Sequence, residues 1–300
     1  MTAPPPGLAA GSGTPAAEID VGADLVRALI ADQHPDLADR PIRPAASGWD
    51  NAVFMVGEDL AARLPRRAAG APLILNEQRW LPGLADHLPL PIPAPVRLGR
   101  PGRDYPYAWS IVPWFAGTPA DLDPPAADQG ALLADFLRAL HRPAPADAPR
   151  NPFRGVPLAD RAGAVEARME RLGDAVDPKV RPIWRDALAA PIDGPETWLH
   201  GDLHGRNVLT RAGRFSAVID WGDLCRGDPA TDVAAVWSLL PSADARREAL
   251  DAYGVSPPLL RRARGWAVFF GVMLLDAGQV DDLRLAAAGA ATLARVVEGP

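Results

Sequence analysis

Cysteine and lysine each occur once in this 300-residue chain, as Cys225 and Lys179. A single cysteine excludes an internal disulfide, and so a disulfide scaffold, and it suits a reducing compartment. Thirty arginines stand against that one lysine. A function that needs a cation at a defined place must therefore use Lys179 or make do with arginine. Positive charge is short overall: the net charge is −6 and the pI is near 5.4. That is the wrong sign for a chain built to wrap nucleic acid, and a neutral or cationic small partner fits better. Long apolar runs are missing as well. The longest strongly apolar stretch, residues 266–275, is about half of what a membrane span requires. No basic segment followed by an apolar one opens the chain as an export signal. The expected address is the cytoplasm, with neither membrane nor nucleic acid as partner.

What is present is ordinary for a globular protein: 48% hydrophobic and 23% charged residues over a length that suits one or two domains. Residues 1–17 are Ala, Pro, Gly, Ser and Thr with almost no charge and read as a disordered tail. A helical period follows over residues 19–33. Two short apolar runs, 52–56 and 60–64, flank Gly57-Glu58-Asp59 and read as a hairpin. Residues 76–88 read as a helix that the prolines from Pro89 onward forbid to continue, and 107–115 as a buried strand. Beyond Ala116 the texture becomes helical, over 128–142, 158–172, 178–189 and most of 229–297, with turns expected near Pro241 and near Pro257-Pro258. The expected organisation is thus a strand-rich segment, 18–115, and a larger helical one, 116–300, with a ligand cleft between them.

The chemistry is concentrated in His200-Gly201-Asp202-Leu203-His204-Gly205-Arg206-Asn207 and in Val218-Ile219-Asp220-Trp221. Asp202 and Asn207 have the D-x-x-x-x-N spacing of a protein-kinase catalytic loop, and Asp220 ends an apolar strand-like run. Phosphoryl transfer needs this set of parts. Asn207 and Asp220 offer hard oxygen ligands for Mg2+, while Asp202 can accept a hydrogen bond from an acceptor hydroxyl and take its proton. Alone, Asp202 would read as a turn residue; in this company it reads as a base. His200 and His204 flank it in an H-x-D-x-H arrangement that also invites a zinc reading, yet a strand or loop would splay these three side chains. The better assignment is that both imidazoles brace the loop.

Together with Gly227-Asp228-Pro229-Ala230-Thr231-Asp232, these motifs resemble the signature of the aminoglycoside phosphotransferase family, in which macrolide phosphotransferases are included. The resemblance implies a protein-kinase-like, two-lobed α+β fold, with an antiparallel sheet in the N-terminal lobe and a mainly helical C-terminal lobe. It implies ATP or GTP as co-substrate and a small-molecule hydroxyl as acceptor. By position, Asp202 matches the family's base, and Asn207 and Asp220 its magnesium ligands. Ser47-Gly48-Trp49-Asp50-Asn51 falls on the phosphate-covering hairpin, with Ser47 and Asn51 as candidate contacts. Arg63 stands where the second strand usually presents lysine to the phosphates, and Glu77 matches the acid that pairs with that cation. Pro113, by its carbonyl, and Phe115, by its N–H, lie where the linker reads the nucleobase. Asp228 and Asp232 are expected to be structural, with the acid after Gly-Asp-Pro anchoring the catalytic loop.

The acceptor is less legible. Asp223 and Asp276 are candidate substrate contacts; carboxylates would favour a polycation, and the apolar face of Trp266, Phe269, Phe270 and Met273 a macrolide. A kinase of a primary metabolite such as choline, homoserine or a sugar would use the same catalytic residues. A nucleotide-binding pseudokinase and a zinc hydrolase are further alternatives. Trp49, Trp109 and Trp114 are expected to be packing residues, and Cys225 structural. The oligomeric state cannot be read from one sequence.

Overall fold

The computed structural model describes residues 16–300, so all but the last two residues of the expected tail lie outside the described part. The described chain forms two compact units. One holds the residues up to Gly117 together with Ser216–Leu224; the other holds Thr118–Phe215 and Cys225–Pro300. A division by sequence texture is necessarily linear and does not foresee that a short segment around Asp220 belongs with the first unit.

The first unit opens with helix α1 (Ala23–Gln33) and continues through strands β1 (Ile42–Ser47), β2 (Asn51–Val56) and β3 (Leu60–Pro65). Helix α2 (Ala71–Ala85) and strands β4 (Arg97–Gly99) and β5 (Trp109–Pro113) complete it. The sheet order is β1-β2-β3-β5-β4, antiparallel at every pairing. The β2–β3 hairpin is the one predicted, with Val56 opposite Leu60 across the Gly57-Glu58-Asp59 turn. Phe54, Val56, Ala62, Leu64 and Ile111 bury one face of the sheet in the cluster that contains Val26, Leu29 and Ile30 of α1. Each of these side chains larger than alanine contributes about 1.5–3 kcal/mol of transfer free energy.

Both edge strands escape sequence reading. β1 carries Pro44, which a strand tolerates only at an edge or a bulge, and its register slips between Pro44 and Ala46. β4 exposes Arg97 and Leu98 and has no alternating pattern to betray it. Helix α2 begins well before the expected residue 76, because Pro72 suits a first helical turn, where no N–H bond is lost. Trp109 is fully buried as expected, but Trp49 and Trp114 are 47% and 38% exposed and are not core residues.

The second unit begins with β6 (Thr118–Pro119), α3 (Gly130–Leu140), α4 (Ala162–Leu172) and α5 (Val180–Leu188). Strands β7 (Thr197–Leu199) and β8 (Val208–Arg211) follow, then β9 (Arg214–Val218), whose first residues lie in this unit, and β10 (Cys225–Gly227). Helices α6 (Ala230–Val233), α7 (Ala235–Leu239), α8 (Ala243–Tyr253), α9 (Pro257–Asp281) and α10 (Leu283–Glu298) end the chain. β6 pairs with β8, and β7 with β10 in a two-stranded ribbon. Pro257 and Pro258 open α9, their fixed φ suiting its first residues, with the Ser256 hydroxyl accepting from Leu259 N–H at 3.2 Å. The turn lies just upstream, at Gly254. Among the described residues no helix is long and apolar enough to cross a membrane.

Candidate active site

The loop between β7 and β8, residues 200–207, is held at both ends by its own chemistry. β7 runs antiparallel to β10 with Leu199 opposite Cys225, so the loop begins at the end of a paired strand. There the completely buried carboxylate of Asp232, on α6, accepts from His200 N–H at 2.6 Å and from Gly201 N–H at 2.9 Å. Gly201 turns with φ 85°, a conformation glycine adopts without steric cost. The buried carboxylate satisfies both N–H groups. Asp232 thus anchors the loop, as its place after Gly-Asp-Pro implied. Asp228 carries a different load: Arg262 grips both its oxygens, at 2.7 and 3.1 Å, and Ala230 N–H caps onto it at 3.1 Å.

Inside the loop several polar contacts converge on Asp202. Asp202 N–H donates to His200 Nδ1 and Arg206 N–H to His204 Nδ1, both at 3.2 Å. Nδ1 of His204 is thereby an acceptor, so the proton sits on Nε2, which faces Asp202 Oδ2 at 3.2 Å. The side-chain amide of Asn207 donates to the Asp202 carbonyl at 2.8 Å and to Oδ2 at 3.1 Å. Arg154 donates from Nη2 to Asp202 Oδ1 at 3.2 Å. Burial by itself would push the Asp202 carboxyl up. The pull of His204, then of the Arg154 guanidinium and of His200, outweighs burial and holds it well below the usual carboxylate range. Gly205 lies so close to the neighbouring chain that a Cβ there would come within 2.9 Å of Asp121 Cβ and 3.0 Å of its backbone N. The two imidazoles are therefore spent on bracing the loop, as expected. Among the described residues no group of three or more His, Cys, Asp or Glu is arranged to hold a metal ion.

A second constellation forms within the first unit. Arg63, in the middle of β3 opposite Val53 and Ser110, is buried and donates from Nη1 to Glu77 of α2, which is fully buried. Its Nη2 lies 3.7 Å from Asp220 Oδ1. Burial opposes the charge on Arg63, but Glu77 and Asp220 keep its guanidinium more firmly protonated than usual. Burial pushes the Glu77 carboxyl up and Asp220 adds to that, against the pull of Arg63. Asp220 itself is strained: its φ is 61°, a left-handed value uncommon outside glycine, while Trp221 packs completely buried beneath it and donates from Nε1 to the Val218 carbonyl at 3.1 Å. The carboxylate of Asp220 is 62% exposed.

The remaining expected residues are more scattered. Ser47 ends β1 in register with Ala52, and the Gly48 N–H closes the hairpin onto the Asn51 carbonyl at 2.9 Å. Asn51 is buried at the start of β2, its Oδ1 without a hydrogen-bond partner. Pro113 ends β5 opposite Leu60, and Trp114 N–H donates to the Asp59 carbonyl, so the segment leading to Phe115 stays tied to the sheet. Asp223 is partly exposed in the turn after Trp221. Asp276 does not present a carboxylate for a substrate amine: it is 8% exposed and both oxygens are held by Arg171, at 2.9 and 2.7 Å, with Arg168 at 3.3 Å. Arg154 was missed by sequence reading. It precedes Asp202 by 48 residues, and no spacing rule connects the two.

Each unit keeps a hard oxygen donor of its own: Asn207 commits its NH2 to the loop, which leaves Oδ1 as an oxygen donor, and in the first unit Asp220 offers an outward carboxylate.

The profile of the phosphotransferase enzyme family, APH, matches residues 41–266. The chain belongs to that family. As a member of it the protein is an enzyme of the phosphotransferase class, as its motifs implied. Solved structures agree along nearly the whole length. An aminoglycoside 2'-phosphotransferase-IIIa in complex with GDP aligns with TM-score 0.63 at 18% identity, over 93% of this chain and 99% of its own. A macrolide 2'-phosphotransferase from Brachybacterium faecium, as apoenzyme, aligns with TM-score 0.59 at 24% identity, over 90% and 97%. The aminoglycoside phosphotransferase APH(2'')-Ib with ADP bound gives TM-score 0.59 at 19% identity, over 93% and 99%. At these identities the likeness is one of fold: kinase-like α+β, with an N-terminal antiparallel sheet and a helical C-terminal region. No curated protein sequence matches the chain.

Proposed function

We propose that this phosphotransferase moves the γ-phosphoryl group of ATP or GTP to a hydroxyl of a small, antibiotic-like acceptor of the aminoglycoside or macrolide type. The observation that carries the reading is Asp202, a carboxylate held on both oxygens in a loop anchored on the buried Asp232. Held ionised, Asp202 accepts the hydrogen bond of the acceptor hydroxyl, aims its oxygen at the γ-phosphorus and takes the proton as the new P–O bond forms. The bond to the β-phosphate oxygen breaks in line, and a nucleoside diphosphate leaves. Base catalysis of this kind is worth about 10²–10⁴-fold, the rest coming from positioning and charge.

Asn207, through Oδ1, and Asp220, through its carboxylate, would hold Mg2+, which when bound supplies positive charge to the phosphate oxygens. Arg63 replaces the usual lysine toward those phosphates. Its planar fork suits two phosphate oxygens, and Glu77 fixes its direction. Ser47 and Asn51 would cover the phosphates from the β1–β2 hairpin, while the Pro113 carbonyl and Phe115 N–H read the base edge. Asp223 is a candidate acceptor contact. A cytoplasmic location supplies either nucleotide.

The test is phosphate transfer from ATP and from GTP to aminoglycosides, macrolides and hydroxylated metabolites such as choline and homoserine, with Asp202→Asn in parallel. Transfer to an antibiotic that disappears in Asp202→Asn supports the reading. Transfer only to a metabolite assigns the chain to primary metabolism, and full activity of Asp202→Asn removes the base.

A further inference from the structure

Arginine pairs with Asp202 and with several other carboxylates of the same unit. Arg154 pairs with Asp202 Oδ1 at 3.2 Å, with only 18% of its side chain exposed. Its guanidinium lies 5.3 Å from the ring centre of Phe269 and 5.1 Å from that of Phe270, both on α9. Stacking on two aromatic faces fixes the direction of this cation and dehydrates it on one side. Arg161, over the Phe153 ring at 5.4 Å, is near enough to feel the positive charge of Arg154. Seven residues beyond Phe269 on the same helix, about two turns on, Asp276 is neutralised by Arg171 and Arg168. Beyond the loop, Arg206 pairs with Asp282, and Arg284 grips Asp121 at 2.5 and 2.6 Å. Asp276, Asp282 and Asp121 are thus each already paired with a guanidinium.

We infer that Arg154 is a positioning and specificity-determining residue: it holds the Asp202 carboxylate from the Phe269–Phe270 face and sets a fixed positive charge beside it. An acceptor of low positive charge is then favoured, and a polycation is rejected. Two effects follow from one contact. Asp202 keeps one rotamer, which serves turnover. The site loses the negative potential that would collect protonated amines, which serves selectivity. The inference rests on Asp202 being the base of a phosphoryl transfer, and it goes further by naming the residue that selects among acceptors.

The experiment uses the full chain with saturating ATP or GTP, whichever it uses, and two probes: erythromycin, bulky and apolar with one amine, and kanamycin, with several. Nucleotide affinity, kcat and KM are measured for wild type, Arg154→Gln and Arg154→Lys, each with its unfolding midpoint. Wild type should favour erythromycin in kcat/KM by about tenfold or more. Arg154→Gln should lower kcat, leave nucleotide affinity unchanged and shrink the preference by about tenfold. Arg154→Lys should restore the preference and part of kcat, since it keeps the charge and loses the fork. Unchanged kcat and preference in Arg154→Gln, preference for kanamycin in wild type, or transfer to neither probe overturns the inference. A wild type that binds no nucleotide, or an Asp202→Asn variant that keeps full turnover, defeats the phosphotransfer reading instead.

Discussion

Removing Arg63 should separate stability from nucleotide binding. Arg63 and Glu77 form an ion pair with side chains 9% and 0% exposed, so Arg63→Met leaves a carboxylate in the interior without its cation. Breaking a buried pair at one partner costs about 3–5 kcal/mol, whereas replacing both partners by apolar groups is often nearly neutral. Arg63→Met should therefore lose about 3–5 kcal/mol, and Arg63→Met with Glu77→Leu should return to within about 1 kcal/mol of wild type. Burial and Asp220 already push the Glu77 carboxyl up, and the single variant removes the one influence that pulls it down. A raised acid favours the protonated form, so the deficit should be largest at neutral pH and shrink as pH falls toward about 4–5, near the ordinary glutamate value. The assay is urea unfolding at pH 7.5 and pH 5, with nucleotide affinity measured on the same samples. Both variants should bind ATP and GTP more weakly, although the double variant is stable. A single variant within about 1 kcal/mol of wild type at pH 7.5, or a double variant no more stable than the single, refutes the reasoning.

Asp202→Asn should cut kcat by about 10²-fold or more with little change in nucleotide affinity, read in a coupled ADP or GDP assay. Because the Asp202 carboxyl is held low, its contribution to stability is present above the unfolded aspartate pKa of about 3.9 and is lost below it. Acid unfolding from pH 5 to about pH 2.5 should therefore be less steep in Asp202→Asn than in wild type. Asp232→Asn turns an amide donor toward N–H donors that both need an acceptor, and should cost about 2–5 kcal/mol together with most of the turnover. Equal stability of this variant in urea would remove Asp232 as the anchor. Asp220→Gly relaxes the φ of 61° and should hold or raise stability by up to about 1 kcal/mol while abolishing transfer; a clear destabilisation would show that no strain was stored there.

Much of this could be read along the chain because it is local. The β2–β3 hairpin is spelled by two apolar runs around Gly57-Glu58-Asp59, and the Asp202–Asn207 spacing is spelled within one loop. The edge strands were not legible, since β1 carries Pro44 and a register slip and β4 is three residues long. Pro257-Pro258 marked the turn that lies just before it, and the same fixed φ that breaks a helix interior there starts one. Asp276 misled because a carboxylate in sequence has no visible partner, and its two arginines come from α4, across 105 residues for Arg171.

The motifs by themselves, through the family they resemble, pointed to the phosphotransferase class and the kinase-like plan, and they singled out Asp202, Asn207 and Asp220 as candidates for its chemistry. Those follow from which side chains are available and how few residues separate them. Tertiary structure alone decided which of the thirty arginines meets which acid: Arg63 with Glu77, Arg154 with Asp202, Arg171 with Asp276. The physical reason is that a charge acts over a few ångströms of space, whatever its distance along the chain, and only folding brings these partners within that range.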